Sequence, residues 1–190
     1  MEEFFKKIAE YTTLSNESEL AWVKILRSRR FNKGDYLVRQ GETARTVAFV
    51  CKGLLSQYSL ADDGNTFIKR FFSEGYFAAS TTSLLSESPS ITSIEAIEHT
   101  VAWEYDFREF KRLTERYKDI AAFYIAYMER HWILEKEPEE IGFRQNTARD
   151  RYDDFVKKYP HLINRIKKHQ IASYLGITPT QMSRIFFANK

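Results

Sequence analysis

The sequence predicts an α+β chain: helices at the N-terminus, a small closed β-domain, a long apolar helix and a terminal helix-turn-helix. Three observations predict it. The turn signals NKGD, RQGE, CKG, ADDGN and SEG separate short β-rich runs from Phe31 onward. Helical periodicity returns after Asp106, with apolar residues around most of the circumference. The last quarter is basic and carries HQIASYLGITPTQMSRI, His169 to Ile185, where a sharp turn joins two short amphipathic runs.

Composition bounds the answer. With 190 residues, 43% hydrophobic and 15% aromatic, the chain can build one sizeable core and a small second domain. No apolar run approaches the roughly 18 residues that span a bilayer. MEEFFKKIAEY is too charged for a secretory signal, so the expected location is cytoplasmic, with no membrane partner. The lone Cys51 excludes an intrachain disulfide and a cysteine-ligated cluster, and is expected as a small buried residue in a strand. Charge is asymmetric: residues 144–190 hold 10 Lys/Arg against 3 Asp/Glu (+7), residues 1–143 hold 19 against 23 (−4). A basic module of that kind attracts polyphosphate, although a solvated face would look similar.

Element by element, Glu2 to Arg30 reads helical, with Phe5, Ile8, Leu20, Val23 and Leu26 at buried-face spacing and Ser15 or Asn16 able to cap a second helix. YSLADDGNTFIKRFF reads as a hairpin turning at Asp63-Gly64 and Asn65. TSIEAIEHTVAWEYD gives two further strands that end near Asp106. In the following helix Ile120, Tyr124, Tyr127, His131 and Leu134 follow i, i+4, i+7 spacing, and Phe123, Ile125, Met128 and Trp132 grease the remainder. Such a helix has two burial partners, the β-domain and a second copy of the chain, or else lies deep in one chain. Pro138, Glu139, Glu140 and Gly142 then break or kink it. The boundaries are 1–106 for the lead-in and β-domain, 107–137 for the dimerisation helix, 138–146 for a hinge and 147–190 for the terminal domain.

Within the last unit, TARDRYDDFVKKYPHLINRI gives a helix ended by Tyr159-Pro160, with Tyr152, Phe155 and Val156 inward. Ile171, Ala172 and Leu175 form the inner face of the next helix, Gly176 ends it in the left-handed conformation, and Ile177 plugs the gap. Thr178 is a good N-cap, Pro179 fits the first helical position, and Gln181 can complete a capping box. Met182 and Ile185 face inward, leaving Thr180, Gln181, Ser183 and Arg184 outside. An ordinary αα-hairpin is the plain alternative; the basic surroundings favour DNA. Arg184 is the candidate for guanine, Gln181 for adenine and Thr180 for base edges, with Lys167, Lys168, His169 and Thr178 as phosphate contacts.

KGDYLVRQGE (Lys33 to Glu42), FVCKGLL (Phe49 to Leu55), SEGYFAAS (Ser73 to Ser80) and IASYLGITPTQMSRI (Ile171 to Ile185), in this order along nearly the whole chain, resemble the Crp/Fnr superfamily of dimeric bacterial transcription regulators. The resemblance implies a β-roll (double-stranded β-helix) as effector domain, a long dimerisation helix, and a terminal motif that reads a palindromic operator in double-stranded DNA. It also implies RNA polymerase and an unknown small-molecule effector as partners. Cyclic-nucleotide binders carry a Gly-Glu pair and, about ten residues on, an Arg-Ser or Arg-Thr pair. Here Ala79-Ser80 and Ser90-Ile91 stand at those places, so the arginine that would anchor the cyclic phosphate is missing and tight cAMP or cGMP binding is not expected. Ser80, Thr81, Thr82 and Ser90 are the candidates for a remaining polar pocket, or else local caps.

No cofactor or metal is expected. His99, the only histidine of the β-region, falls in a turn, and a cupin-type metal enzyme would need several. No Ser-His-Asp or Cys-His grouping has catalytic context, so the chain reads as a non-enzyme. The sequence ends at FFANK, without the β-hairpin wing of many relatives, and Phe186 and Phe187 are expected to pack back under the last helix. The competing function is a ligand- or protein-binding signalling module whose roll is retained and whose DNA binding is lost.

Overall fold

The computed structural model describes residues 1–61 and 64–187, the last without its side chain. Two helices lead in, α1 (Glu2–Ala9) and α2 (Asn16–Ile25). Ser15 caps α2, its hydroxyl accepting from the Ser18 N–H at 3.2 Å. The expected helix to Arg30 ends early: Arg27–Phe31 is strand β1, because it pairs along its length with Thr100 to Glu104. Tertiary pairing overrides local pattern there. The buried face is the expected one in part, since Ile8 and Leu26 are buried. Phe4 and Trp22 are fully buried, while Leu20 is 63% exposed and Phe5 lies at the margin.

Strands β1, β2 (Tyr36–Val38), β3 (Thr46–Lys52), β4 (Leu55–Leu60), β5 (Thr66–Phe72), β6 (Phe77–Ala78), β7 (Ser93–Ala96) and β8 (Thr100–Asp106) form two antiparallel sheets. Their orders are β1-β8-β3-β6 and β2-β7-β4-β5. This is a double-sheet roll, with its largest aromatic residues inside. The β4–β5 hairpin forms as expected, with Gly64 at positive φ and the Ala61 N–H donating to Asn65 O at 2.9 Å. Asp63 of the expected turn lies outside the described residues. The short helix α3 (Thr81–Ser86) bridges β6 and β7. His99 is exposed in the turn before β8, and Cys51 is half-buried in β3.

Asp106 caps α4 (Phe107–Arg116), accepting from the Arg108 and Glu109 N–H groups. After Tyr117 come α5 (Lys118–Glu129), one wide π-type turn over Arg130–Leu134, and α6 (Lys136–Gln145). The helix does not break at Pro138 to Gly142, which corrects the expected hinge. Pro138 stands in the first turn of α6, and the π-type turn directly upstream shifts the backbone pairing to i→i−5, with the Glu135 N–H donating to Arg130 O at 3.0 Å. That widening accommodates a residue with no N–H and a ring against the preceding turn. The chain turns instead at Asn146-Thr147, where Thr147 and Asp150 form a capping box for α7 (Ala148–Lys158). Helices α8 (Lys168–Leu175) and α9 (Pro179–Phe187) complete the chain.

The terminal helices do not keep a core to themselves. Tyr152, Phe155, Leu162, Ile171, Leu175 and Met182 pack in one cluster with Leu54, Ile68 and Phe71 of the roll. One glycine is fixed by two constraints at once. Gly53 has φ +106°, and a Cβ there would stand 2.5 Å from Thr100 Oγ1 and 2.6 Å from the His99 carbonyl. Gly53→Ala is expected to cost roughly 2–5 kcal/mol from left-handed strain plus overpacking, measured as a lowered urea midpoint. An unchanged midpoint would show that the turn relaxes freely.

Candidate functional site

The helix-turn-helix forms as the spacing predicts. Gly176 ends α8 in the left-handed conformation (φ 63°, ψ 37°) and the Ile177 N–H donates back to Ala172 O at 3.0 Å. A Cβ on Gly176 would lie 2.7 Å from Cζ of Phe143, so the end of α6 rests directly on this turn. Thr178 then starts α9. Its N–H donates to Gln181 Oε1 at 2.9 Å, and its hydroxyl accepts from the Gln181 N–H at 3.2 Å.

The candidate DNA contacts are all on the surface: Lys167, Lys168, His169, Thr178, Thr180, Gln181, Ser183 and Arg184 are exposed, while Met182 between them is buried. The assignments are not all equally free. Gln181 Oε1 is engaged by the cap, so a bidentate pairing with adenine would require giving up that bond; its amide N–H₂ remains available. Lys168 Nζ stands 3.7 Å from the Phe186 ring centroid, so Phe186 packs back toward α8. The side chain of Phe187 lies outside the described residues.

Two contacts that no sequence motif marks hold this module against the roll. Ser173 of α8 sits on β5, an edge strand. Its hydroxyl accepts from the Ile68 N–H at 3.0 Å and donates to the Thr66 carbonyl, satisfying two edge groups. Arg165, between α7 and α8, is the larger clamp. It donates to both carboxylate oxygens of Glu74 at 2.9 Å, to Glu98 Oε1 at 2.5 Å and to the Gly53 carbonyl at 3.0 Å. Burial alone would raise the Glu74 pKa, but the hydrogen bonds from Arg165 and the Gly53 N–H hold it at about 2.

In the roll, the four effector-pocket candidates do not make an open site. Ser80 and Ser90 are buried and hydrogen-bond each other at 2.7 Å; Ser90 Oγ also donates to Thr92 O at 2.6 Å. Thr81 and Thr82 lie on α3, Thr82 exposed. The Ser80 and Ser90 hydroxyls are thus consumed internally, while Thr81 lines the cavity beside α5. The cavity between the sheets and α5 is about 60 Å³, walled by Phe72, Phe77, Tyr105, Phe110, Phe123 and Tyr127. Ligand pockets usually measure roughly 300–1,000 Å³.

The dimerisation set divides. Ile120, Tyr127 and His131 are buried within the chain and offer no surface, which corrects three of the five residues; Tyr124 packs on Phe110. The helix was read in the wrong phase, because an all-round apolar pattern does not mark its core side. The outer side carries Ile125, Ile133 and Leu134, each more than half exposed. His131 sits between the Tyr11 hydroxyl and Glu135 Oε2, 2.8 Å from each; burial lowers its pKa against the pull of Glu135. Among the described residues no group of three or more His, Cys, Asp or Glu could hold a metal, and no helix is long and apolar enough to cross a membrane.

Residues 28–117 match the family model of the cyclic nucleotide-binding domain. The chain is 24% identical over 176 residues to the transcriptional activator protein anr of Pseudomonas aeruginosa, covering 85% of this chain and 70% of that one. The same identity links it to Anr of Pseudomonas protegens. The N-terminal half of this chain thus carries a domain of the cyclic nucleotide-binding type, and the chain as a whole is similar to these transcriptional activators. Its fold is similar to FixK2 from Bradyrhizobium japonicum (TM-score 0.70, 19% identity, 86% of this chain and 84% of that one). It is also similar to the catabolite activator protein of Thermus thermophilus (TM-score 0.56, 21% identity, 92% and 83%). Within the domain that matches the family model, Ser80 and Ser90 close on each other.

The Arg165 clamp makes stability depend on pH. The Glu74 pKa is depressed in the folded state, so its contribution is complete above about pH 4.5 and is lost as pH falls toward 2. Glu74→Gln is expected to lower the urea midpoint at about pH 6 and to show a smaller further fall through the acid window than the parent chain. Equal falls in both proteins would remove Glu74 from the acid response.

Proposed function

We propose that this chain is a Crp/Fnr-type regulator that binds DNA sequence-specifically as a homodimer, with α9 as the reading helix. The observation that carries the reading is the outward polar face of α9: Thr180, Ser183 and Arg184 are exposed around a buried Met182, at the end of a tight, capped turn. Arg184 supplies a bidentate donor for guanine, Thr180 and Ser183 reach base edges, and Gln181 divides its amide between cap and base. Lys167, Lys168, His169 and Thr178 grip phosphates and set the register. The dimer forms through the outer face of α5 and the turn after it, where Ile125, Ile133 and Leu134 stand uncovered in one copy. The two reading helices then enter successive major grooves roughly 34–36 Å apart. The work is cytoplasmic and non-catalytic, with RNA polymerase as a further partner.

Selection from random duplexes is expected to enrich a two-fold symmetric site. Arg184→Ala should cost about 1–3 kcal/mol on that site and relax preference at one base position, whereas Lys167→Ala or Lys168→Ala should weaken all sequences evenly and flatten the salt dependence. Equal losses on specific and scrambled DNA for Arg184→Ala would overturn base reading; no enrichment at all would favour a signalling module without DNA binding. Ile133→Glu is expected to yield a monomer by sedimentation and to abolish binding to the full site but not to a half-site. A variant that stays dimeric would place the interface elsewhere.

A further inference from the structure

We infer that the cleft between β5, α6, α7 and α8 is a binding site for a small anionic ligand bearing an aromatic ring, separate from the interior of the roll. The inference does not rest on DNA reading. The cleft measures about 640 Å³, within the range of ligand pockets, where the roll cavity does not.

Its walls carry an excess of positive charge. Lys69, Lys136, Arg144, Arg151 and Lys158 line it against Glu139, Glu140 and Asp154. Lys136 and Lys158 share Glu139. Lys69 and Arg144 have no carboxylate partner among the described residues. Arg151 gives one terminal nitrogen to the Phe143 and Asn146 carbonyls, and its Nε is buried with no hydrogen-bond partner. A buried unmet donor of this kind is costly unless a ligand or water takes it. Burial, with Lys136 and Arg70 nearby, also lowers the Lys69 pKa, a strain that a bound anion would relieve.

The remaining wall is aromatic. Phe67 and Phe143 are both more than half exposed at the cleft, and Tyr174 and Phe155 stack behind them at 5.1 Å between ring centroids. Two large rings partly open to water, beside cations that lack a carboxylate partner, suit a flat apolar body with an acidic group attached. Such a molecule would touch the roll through Lys69, the long helix through Phe143 and the terminal domain through Tyr174. It would therefore shift their arrangement if it binds one arrangement better than another.

Phenyl phosphate, inorganic phosphate and phenol, titrated calorimetrically into the full chain, test the assignment. Phenyl phosphate is expected to saturate one site per chain and to bind more tightly than either fragment. Lys69→Gln, with its fold checked by circular dichroism, should weaken it by about tenfold, while Ser90→Ala in the roll should leave it unchanged. Absence of saturable binding, equal binding of inorganic phosphate, indifference to Lys69→Gln, or loss in Ser90→Ala would each overturn the proposal.

Discussion

The docking of the terminal helices on the edge of the roll is the constraint from which the rest of the molecule follows. A unit as small as residues 147–190 buries too little apolar surface to be secure alone. Here it borrows Leu54, Ile68 and Phe71 from the roll to complete its core. The β5 edge, which would otherwise present bare backbone groups, is covered in exchange by Ser173. Arg165 adds direction to this contact. Its two terminal nitrogens meet Glu74 end-on, and the same guanidinium reaches Glu98 and the Gly53 carbonyl, a geometry that lysine could not reproduce. Separating the two parts would strand two carboxylates and an arginine that now satisfy one another, so the docked arrangement is held by mutual satisfaction of polar groups as well as by apolar burial.

The roll shows the opposite economy. Its interior is filled by rings in edge-on and tilted contact, from Phe4 and Trp22 of the lead-in to Phe123 and Tyr127 of the long helix. Where a cyclic phosphate would need a charged anchor, the chain offers Ser90, and Ser90 is already bonded to Ser80 and to the Thr92 carbonyl. A buried hydroxyl satisfied twice over gains nothing from an incoming anion. The larger open space lies outside the roll, against β5, α6, α7 and α8.

Much of this was legible in the sequence, and the losses have physical causes. The hairpin, the last two strands, the Gly176 turn and the Thr178 cap were visible because they rest on local rules: glycine at positive φ, a capping side chain, proline at the first helical position. The β1 strand was hidden because RSRRF has no alternation and is made a strand only by its partner Thr100 to Glu104. The phase of the long helix was hidden because Phe123, Ile125, Tyr127 and Met128 are apolar on both sides, so that periodicity could not separate core from surface. Arg165 and Ser173 left no trace at all: each looks like an ordinary surface residue until the fold brings Glu74, Glu98 and Ile68 to it across 67 to 105 positions of chain.

Pro138 has a consequence that reaches the reading helix. Had it ended the long helix, the terminal domain would hang from a loose connection. The wide turn at Arg130–Leu134 absorbs the missing hydrogen bond instead, and the helix runs on to Gln145. Phe143 is thereby laid across Gly176, close enough that no side chain fits there, and Arg151 covers the other part of its ring at 4.9 Å. The residue whose left-handed backbone sets the angle between α8 and α9 is thus pressed by the end of the helix whose outer face is free to meet a partner. The contact sits on the rim of the cleft that Phe143, Asn146 and Gly176 line together, so the end of the long helix and the turn of the terminal motif share one surface.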